Sequence, residues 1–191
     1  MGRQGSLIKR FTDVVVSFLT LMIFSPILLL AIIAIKIESK GPAFFLHERT
    51  GHKGEKFKLY KLRGMVVNAI DIGPEITQVN DSRITKVGRI LRRTSIDEIP
   101  NFINVLKGEM SLVGPRPEIV SITDKYTLEQ KKVLDFMPGV TGVSQINGRQ
   151  TLTPCERVRM EIEYYIKATL LSDLLIILKT FKVIWNNKGN V

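Results

Sequence analysis

Two adjacent carboxylates, Asp97 and Glu98, follow a pair of arginines, Arg92 and Arg93, and precede an arginine held between prolines, Pro115-Arg116-Pro117. An ionised carboxylate is a competent nucleophile toward phosphorus, and neighbouring guanidinium groups keep it ionised. Adjacent residues do not share one helix face, so the two acids can divide the work, one attacking and the other helping to hold a metal. Magnesium is commonly held by one or two carboxylates together with substrate phosphates. Arg116 rides on a stiff backbone, because Pro117 restricts the residue before it and Pro115 fixes the approach. That suits a bidentate clamp on phosphate. Lys58, Lys61 and Arg63 add positive charge upstream. A purely structural role for the acids is the alternative. Ser95-Ile96-Asp97-Glu98 matches a capping box, with Ser95 at the N-cap and Glu98 three residues in. Pro100 suits that helix poorly, since proline prefers the first helical position. A turn just ahead of the helix is therefore the other expectation.

The chain that must position these groups has 191 residues, 45% hydrophobic and 24% charged, with a net charge of +10. That fits one folded domain with an appendage, and partners that are anionic: phosphorylated substrates, an anionic membrane face or nucleic acid. One cysteine, Cys155, excludes an internal disulfide framework, and two histidines without a cysteine cluster argue against zinc. From Val14 to Ile35 about 22 residues carry no charge, enough to span a bilayer core and without the polar stripe of a soluble helix. Basic residues flank both ends of the run, Lys9 and Arg10 before it and Lys36 and Lys40 after it, so the charge rule for a simple span gives no orientation. A chain that turns back at Ser25-Pro26, near the midpoint, would put both ends in the cytoplasm; a kinked span is the other reading. Ser25 could satisfy a carbonyl that the proline leaves without a donor.

Residues 1–40 thus read as the membrane segment and residues 41–191 as the globular domain. Around Gly51 and Gly54, "AFFLHERTG" and "EKFKLYKLRGM" read as two strands of a hairpin. "VNAIDIGPEITQVNDSRITKVG" reads as a surface loop, and "KVGRILRRT" as a short basic helix. Ile99, Phe102, Ile103 and Leu106 recur at helical spacing, with Gly108 as the stop. "MSLVG" predicts a strand, "LEQKKVLDFM" a helix, and "PGVTGVSQINGR" a structured glycine-rich loop. The segment from Arg157 to Trp185 is either an amphipathic helix on a membrane or a core helix. Neither a Walker phosphate loop nor a G-x-G-x-x-G turn occurs, so a nucleotide would be held in another way.

In this order, five blocks resemble the bacterial sugar transferase family, the monotopic polyprenyl-phosphate phosphoglycosyl transferases. They are the N-terminal run through "HERTG", "FKLYKLRGM", "GRILRRTSIDEIPNFINVLKGEMSLVGPRPE", "PGVTGVSQINGR" and "EIEYYIKATLLSDLLIILKT". The similarity covers nearly the whole chain and looks like the short form, without the extra N-terminal membrane helices of larger relatives. It implies an α+β fold: a small mixed catalytic domain with a re-entrant helix broken at Ser25 and Pro26, and interfacial amphipathic helices. It implies transfer of a sugar 1-phosphate from a UDP-sugar to undecaprenyl phosphate, with release of UMP, at the cytoplasmic face of the inner membrane. Asp97 would be the nucleophile, and Glu98 would help it hold Mg²⁺. Arg92 and Arg116 match positions lining the family's active site, and Gln145 and Arg149 match the glycine-rich block. Lys61 and Arg63 lie in the basic block. An anionic phospholipid membrane is a further implied partner, nucleic acid is not, and a homodimer is left open. Three positions depart from the pattern: Gly64 replaces a hydroxyl residue, Met137 stands where arginine is common, and Glu161 stands where aspartate is common. The rival reading is a non-catalytic, basic, membrane-tethered binding protein, which leaves the acid pair without a role.

Overall fold

The computed structural model describes residues 6–78, 80–147 and 152–185. Helix α1 (Leu7–Glu38) is 32 residues long, about 48 Å at 1.5 Å per residue. It is long and apolar enough to cross a membrane, and its most apolar stretch is only 11% buried. The helix is assigned without interruption through Ser25 and Pro26, so the expected reversal is not displayed. Pro26 cannot donate to the carbonyl of Met22, and the Ser25 hydroxyl does so instead at 2.8 Å. Its two ends are packed against the rest of the chain, whereas Met22 to Ile27 are exposed. Near the start, Lys9, Asp13 and Ser17 are buried; near the end, Ala31 and Ile35 are.

Strands β1 (Phe44–Thr50) and β2 (Lys56–Leu62) form the expected antiparallel hairpin, in register from Phe44 opposite Leu62 to Thr50 opposite Lys56. Phe57, Leu59 and Leu62 are buried, and the lysines between them are not. The irregular stretch that follows is buckled by Arg83, which donates to both Asp81 carboxylate oxygens and to the Ala69 carbonyl. Helix α2 (Lys86–Arg93) starts with Thr85 as its N-cap. Its first two amides also donate to Glu38 at the end of α1, at 2.7 and 3.1 Å. α2 then packs Leu91 and Val87 onto Ile35, Leu28 and Ile32 of that helix.

Helix α3 (Asn101–Lys107) ends at Gly108, whose φ of +88° is the left-handed value that ends helices without side-chain strain. Arg10 donates to two of its last carbonyls, Val105 and Leu106, at 2.6 and 2.9 Å. Strand β3 (Ser111–Val113) follows, then two short helices, α4 (Val120–Thr123) and α5 (Leu128–Lys131). The expected long helix over 128–137 is therefore one α turn continued by a 3-10 turn to Asp135. The glycine-rich block is more regular than a loop: it contains strand β4 (Gly139–Thr141), parallel to β3, and helix α6 (Val143–Ile146). The last segment is two helices, α7 (Pro154–Lys167) and α8 (Leu170–Trp185). Val158, Tyr165 and Ile176 from them enter cores built with Tyr126 and Val133 or with Leu112, Val113 and Val143. Arg149 lies outside the described residues.

Candidate active site

Asp97 and Glu98 lie in a 3-10 turn, Ile96–Glu98, wedged between α2 and α3. Ser95 turns the chain there with a left-handed φ of +58°, and its side chain makes no capping bond. The capping-box reading thus gives way to the turn ahead of α3, and Pro100 stands at the N-cap of that helix. Non-glycine residues seldom adopt this backbone conformation, which marks the turn as held by its surroundings. Asp97 is buried, at 9% exposure.

Two cations from different elements converge on Glu98. Lys61, near the end of β2, donates to its Oε1 at 2.7 Å. Arg116, from the proline-flanked segment after β3, reaches the same oxygen at 3.5 Å. The strand alternation that buries Phe57 and Leu59 puts Lys61 on the same face, where it reaches the turn. Arg116 is fixed a second time through its backbone, whose N–H donates to Glu161 Oε1 at 3.2 Å.

Glu161, on α7, is itself buried and accepts from the Ser144 hydroxyl at 2.5 Å. Burial pushes its carboxyl up to about 7, against the opposing pull of the Ser144 hydrogen bond. Gln145 belongs to this neighbourhood: its Oε1 accepts from the Ser144 hydroxyl at 3.1 Å, and its Nε2 is buried without a partner among the described residues. Glu118, two residues after Arg116, pairs with Arg157 at 2.7 Å.

Arg49 and His47 were not singled out by their sequence, although alternation puts both on the inner face of β1. Arg49 donates to His47 Nδ1 at 3.1 Å and to the Pro117 carbonyl at 3.4 Å. Its Nε is buried without a partner among the described residues. Burial and the nearby Arg116 charge bring its guanidinium down to about 10, so it stays protonated at neutral pH. Burial and the Arg49 charge also lower His47. A neutral imidazole accepting at Nδ1 leaves Nε2–H to donate to Glu75 Oε1, 3.4 Å away. Glu75 in turn accepts from Ser121 at 2.7 Å, which ties the 66–78 stretch to this side of the site.

Arg63 and Arg92 are held by other contacts. Arg63 is buried and donates to the Lys40 and Ser39 carbonyls and the Ser39 hydroxyl, so it closes the exit of α1 instead of lining the acid pair. Arg92 donates to Thr77 Oγ1 at 3.2 Å. A Cβ on Gly64 would stand 3.2 Å from Arg92 Nε, and one on Gly88 would meet the Gly64 carbonyl. The absent hydroxyl at position 64 therefore makes room for the Arg92 side chain. Among the described residues no group of three or more His, Cys, Asp or Glu side chains could cage a cation. Two adjacent carboxylates fit Mg²⁺ of the kind that takes most of its ligands from phosphates and water.

The family model for bacterial sugar transferases matches residues 4–187. A galactosyl transferase, CpsE, of Streptococcus agalactiae is 40% identical over 95% of this chain, and this chain spans 43% of that relative. The exopolysaccharide production protein ExoY of Rhizobium meliloti is 33% identical over 97% of the chain and is covered to 89%. A UDP-glucose:undecaprenyl-phosphate glucose-1-phosphate transferase of Caulobacter vibrioides is 42% identical over 90% of the chain, and 67% of it is covered. The chain thus spans less than half of some relatives and most of others.

Proposed function

Because the chain belongs to the bacterial sugar transferase family, we propose that it moves a sugar 1-phosphate from a UDP-sugar to undecaprenyl phosphate. The observation that carries this reading is the convergence of Lys61 and Arg116 on Glu98 beside a buried Asp97. Cations placed around a carboxylate pair serve a reaction in which negative charge gathers on a transferring phosphoryl group.

In the first step a carboxylate oxygen of Asp97 bonds to the β-phosphorus of the UDP-sugar. The bond from that phosphorus to the bridging oxygen breaks, and UMP leaves with the bond's electron pair. A sugar phosphate remains on Asp97 as a mixed anhydride. In the second step an oxygen of the lipid phosphate attacks the same phosphorus, and the Asp97 carboxylate is regenerated. The product is a polyprenyl-diphosphate sugar. Two displacements through a covalent intermediate give ping-pong kinetics. Glu98, with Asp97, would hold Mg²⁺, which when bound neutralises charge on the diphosphate. Arg116 clamps phosphate oxygens and Lys61 sets the pose of Glu98. Gln145, whose Nε2 is without a partner among the described residues, and Arg92 beside the Thr77 stretch are substrate-contact candidates.

The place of reaction is the cytoplasmic face of the inner membrane. α1 would be re-entrant, entering and leaving on one side. Three features support this: both its ends pack on the same body, its exposed middle carries Ser25-Pro26, and basic residues flank both ends. Residues 1–40 then form the membrane segment and 41–191 the catalytic domain. Such a position lets one site receive a soluble anionic substrate and a lipid-borne one.

Purified protein in vesicles containing undecaprenyl phosphate, supplied with a panel of UDP-sugars and Mg²⁺, should release UMP and form a lipid-diphosphate sugar. Release of UDP instead would mean glycosyl transfer and overturn the proposal.

A further inference from the structure

The imidazole of His47 fits its neighbours in one protonation state. A guanidinium has no acceptor, so Arg49 Nη2, 3.1 Å from His47 Nδ1, must donate and Nδ1 must be the bare nitrogen. The ring proton then sits on Nε2, 3.4 Å from Glu75 Oε1. Glu75 accepts through its other oxygen from Ser121 Oγ at 2.7 Å, and Ser121 belongs to α4, just after the Arg116 segment. Arg49 returns to that segment through the Pro117 carbonyl at 3.4 Å. The backbones meet there as well: Arg49 forms an antiparallel bridge with Ile119, and the Thr50 N–H donates to the Glu118 carbonyl at 3.0 Å. His47, Arg49, residues 117–121 and Glu75 therefore close a ring. The imidazole is the joint at which Arg49 and the 66–78 stretch meet.

That joint is sheltered. The His47 side chain is 14% exposed, and the Phe45 ring lies beside it with 5.4 Å between centroids. The charged groups that face it are Arg49 on its own strand, Lys61 on β2 and Glu75 on the 66–78 stretch. Two of the three are cations, and burial opposes a further positive charge, so the ring is neutral near pH 7. A protonated ring would carry N–H on both nitrogens. It would turn a donor and a positive charge toward Arg49, and the 3.1 Å contact could not persist. The Glu75 contact would gain strength from the same proton. Acidification therefore releases Arg49 while the 66–78 stretch stays tied.

We infer that His47 is a positioning residue of the phosphate site: its Nδ1 aims the Arg49 guanidinium beside Arg116, while its Nε2–H fixes the 66–78 stretch. It acts through Arg49, whose Nε is buried without a partner among the described residues, and not by touching substrate. The inference rests on the proposed function, since it needs Arg49 and Arg116 to receive the diphosphate of a UDP-sugar. Its consequence is a KM for that substrate that rises as His47 gains a proton.

Two measurements test this. The chain has two histidines, His47 and His52, so long-range heteronuclear NMR of histidine-labelled protein in detergent reads both rings, with His52→Gln giving the assignment. His47 should show a bare Nδ1 and a protonated Nε2 near neutral pH, and a titration midpoint below the ordinary 6.5. A proton on Nδ1 near neutral pH overturns the inference whatever the turnover. The KM for a UDP-sugar that supports turnover is then followed through UMP release, at saturating lipid acceptor, from about pH 7.5 to about pH 5. The parent is compared with His47→Gln and His47→Leu. Glutamine offers an acceptor and a donor, as the neutral imidazole does, and does not titrate. Other titrations are shared by all three and cancel in the comparison. Across this range the parent KM should rise about 3- to 10-fold more than that of the glutamine variant, the effect of losing one hydrogen bond. The leucine variant should have a raised KM already at neutral pH, and glutamine should recover most of that loss. Equal acid dependence in the parent and the glutamine variant, or a leucine variant with the parent KM, overturns the inference and leaves the proposed function standing. No UMP release by the parent with any UDP-sugar overturns the proposed function itself, and this role with it.

Discussion

Glu161→Gln isolates the cost of burying one carboxylate behind the proposed phosphate clamp. Burial raises Glu161 from 4.5 to about 7. At roughly 1.4 kcal/mol per pH unit, the gap corresponds to on the order of 3 kcal/mol. The sign follows from proton binding: between these values the folded chain holds a proton that the unfolded chain has released, so stability falls as pH rises. The contribution is fully present below pH 4.5 and is lost as pH passes about 7. Glutamine keeps an oxygen to accept from the Arg116 N–H and the Ser144 hydroxyl, and never ionises. Thermal unfolding followed by circular dichroism in detergent should show the variant and the parent alike near pH 5. Near pH 8 the variant should unfold higher, by roughly 5–10 °C at this chain length. If the variant is destabilised equally at both pH values, the hydrogen bonds to the carboxylate outweigh its desolvation and the reasoning fails.

Lys61→Met removes the 2.7 Å partner of Glu98, a shorter contact than that of Arg116 at 3.5 Å. A charge-assisted bond contributes about 1.5–3 kcal/mol, so kcat/KM for the UDP-sugar should fall about 10- to 100-fold, and activity within twofold of the parent would deny Lys61 that role. Arg49→Gln removes a buried guanidinium beside Arg116 whose Nε has no partner among the described residues, and should lower kcat/KM about 10-fold or more, chiefly through KM. An unchanged KM in steady-state assays would make Arg49 a purely structural residue.

The sequence carried the parts of this molecule that rest on local rules. Alternation of Phe57, Leu59 and Lys61 with the positions between them gave β2, and Gly51 and Gly54 gave the turn. The apolar run gave α1, and Ser25 proved to be the residue that replaces the donor missing at Pro26. Pro100 correctly argued against a helix starting at Ser95, whose left-handed backbone turns the acids ahead of α3. What remained hidden depends on contacts between distant segments. Arg63 resembles Lys61 in sequence, yet one holds the exit of α1 and the other reaches Glu98, because the chain turns between them. Glu161 meets Arg116 across 45 positions, a contact with no local signature. In the last segment the core reading holds for one side of the helix: Ile176 enters the core while Leu174 and Leu178 face outward.

Covalent capture on Asp97 tests the central claim most directly. Protein incubated with a UDP-sugar that supports turnover, and with no lipid acceptor, is digested and analysed by mass spectrometry. A sugar phosphate on the peptide containing Asp97, absent from Asp97→Asn and removed by added undecaprenyl phosphate, is the predicted result. Full turnover by Asp97→Asn, or an adduct on any other residue, would contradict it.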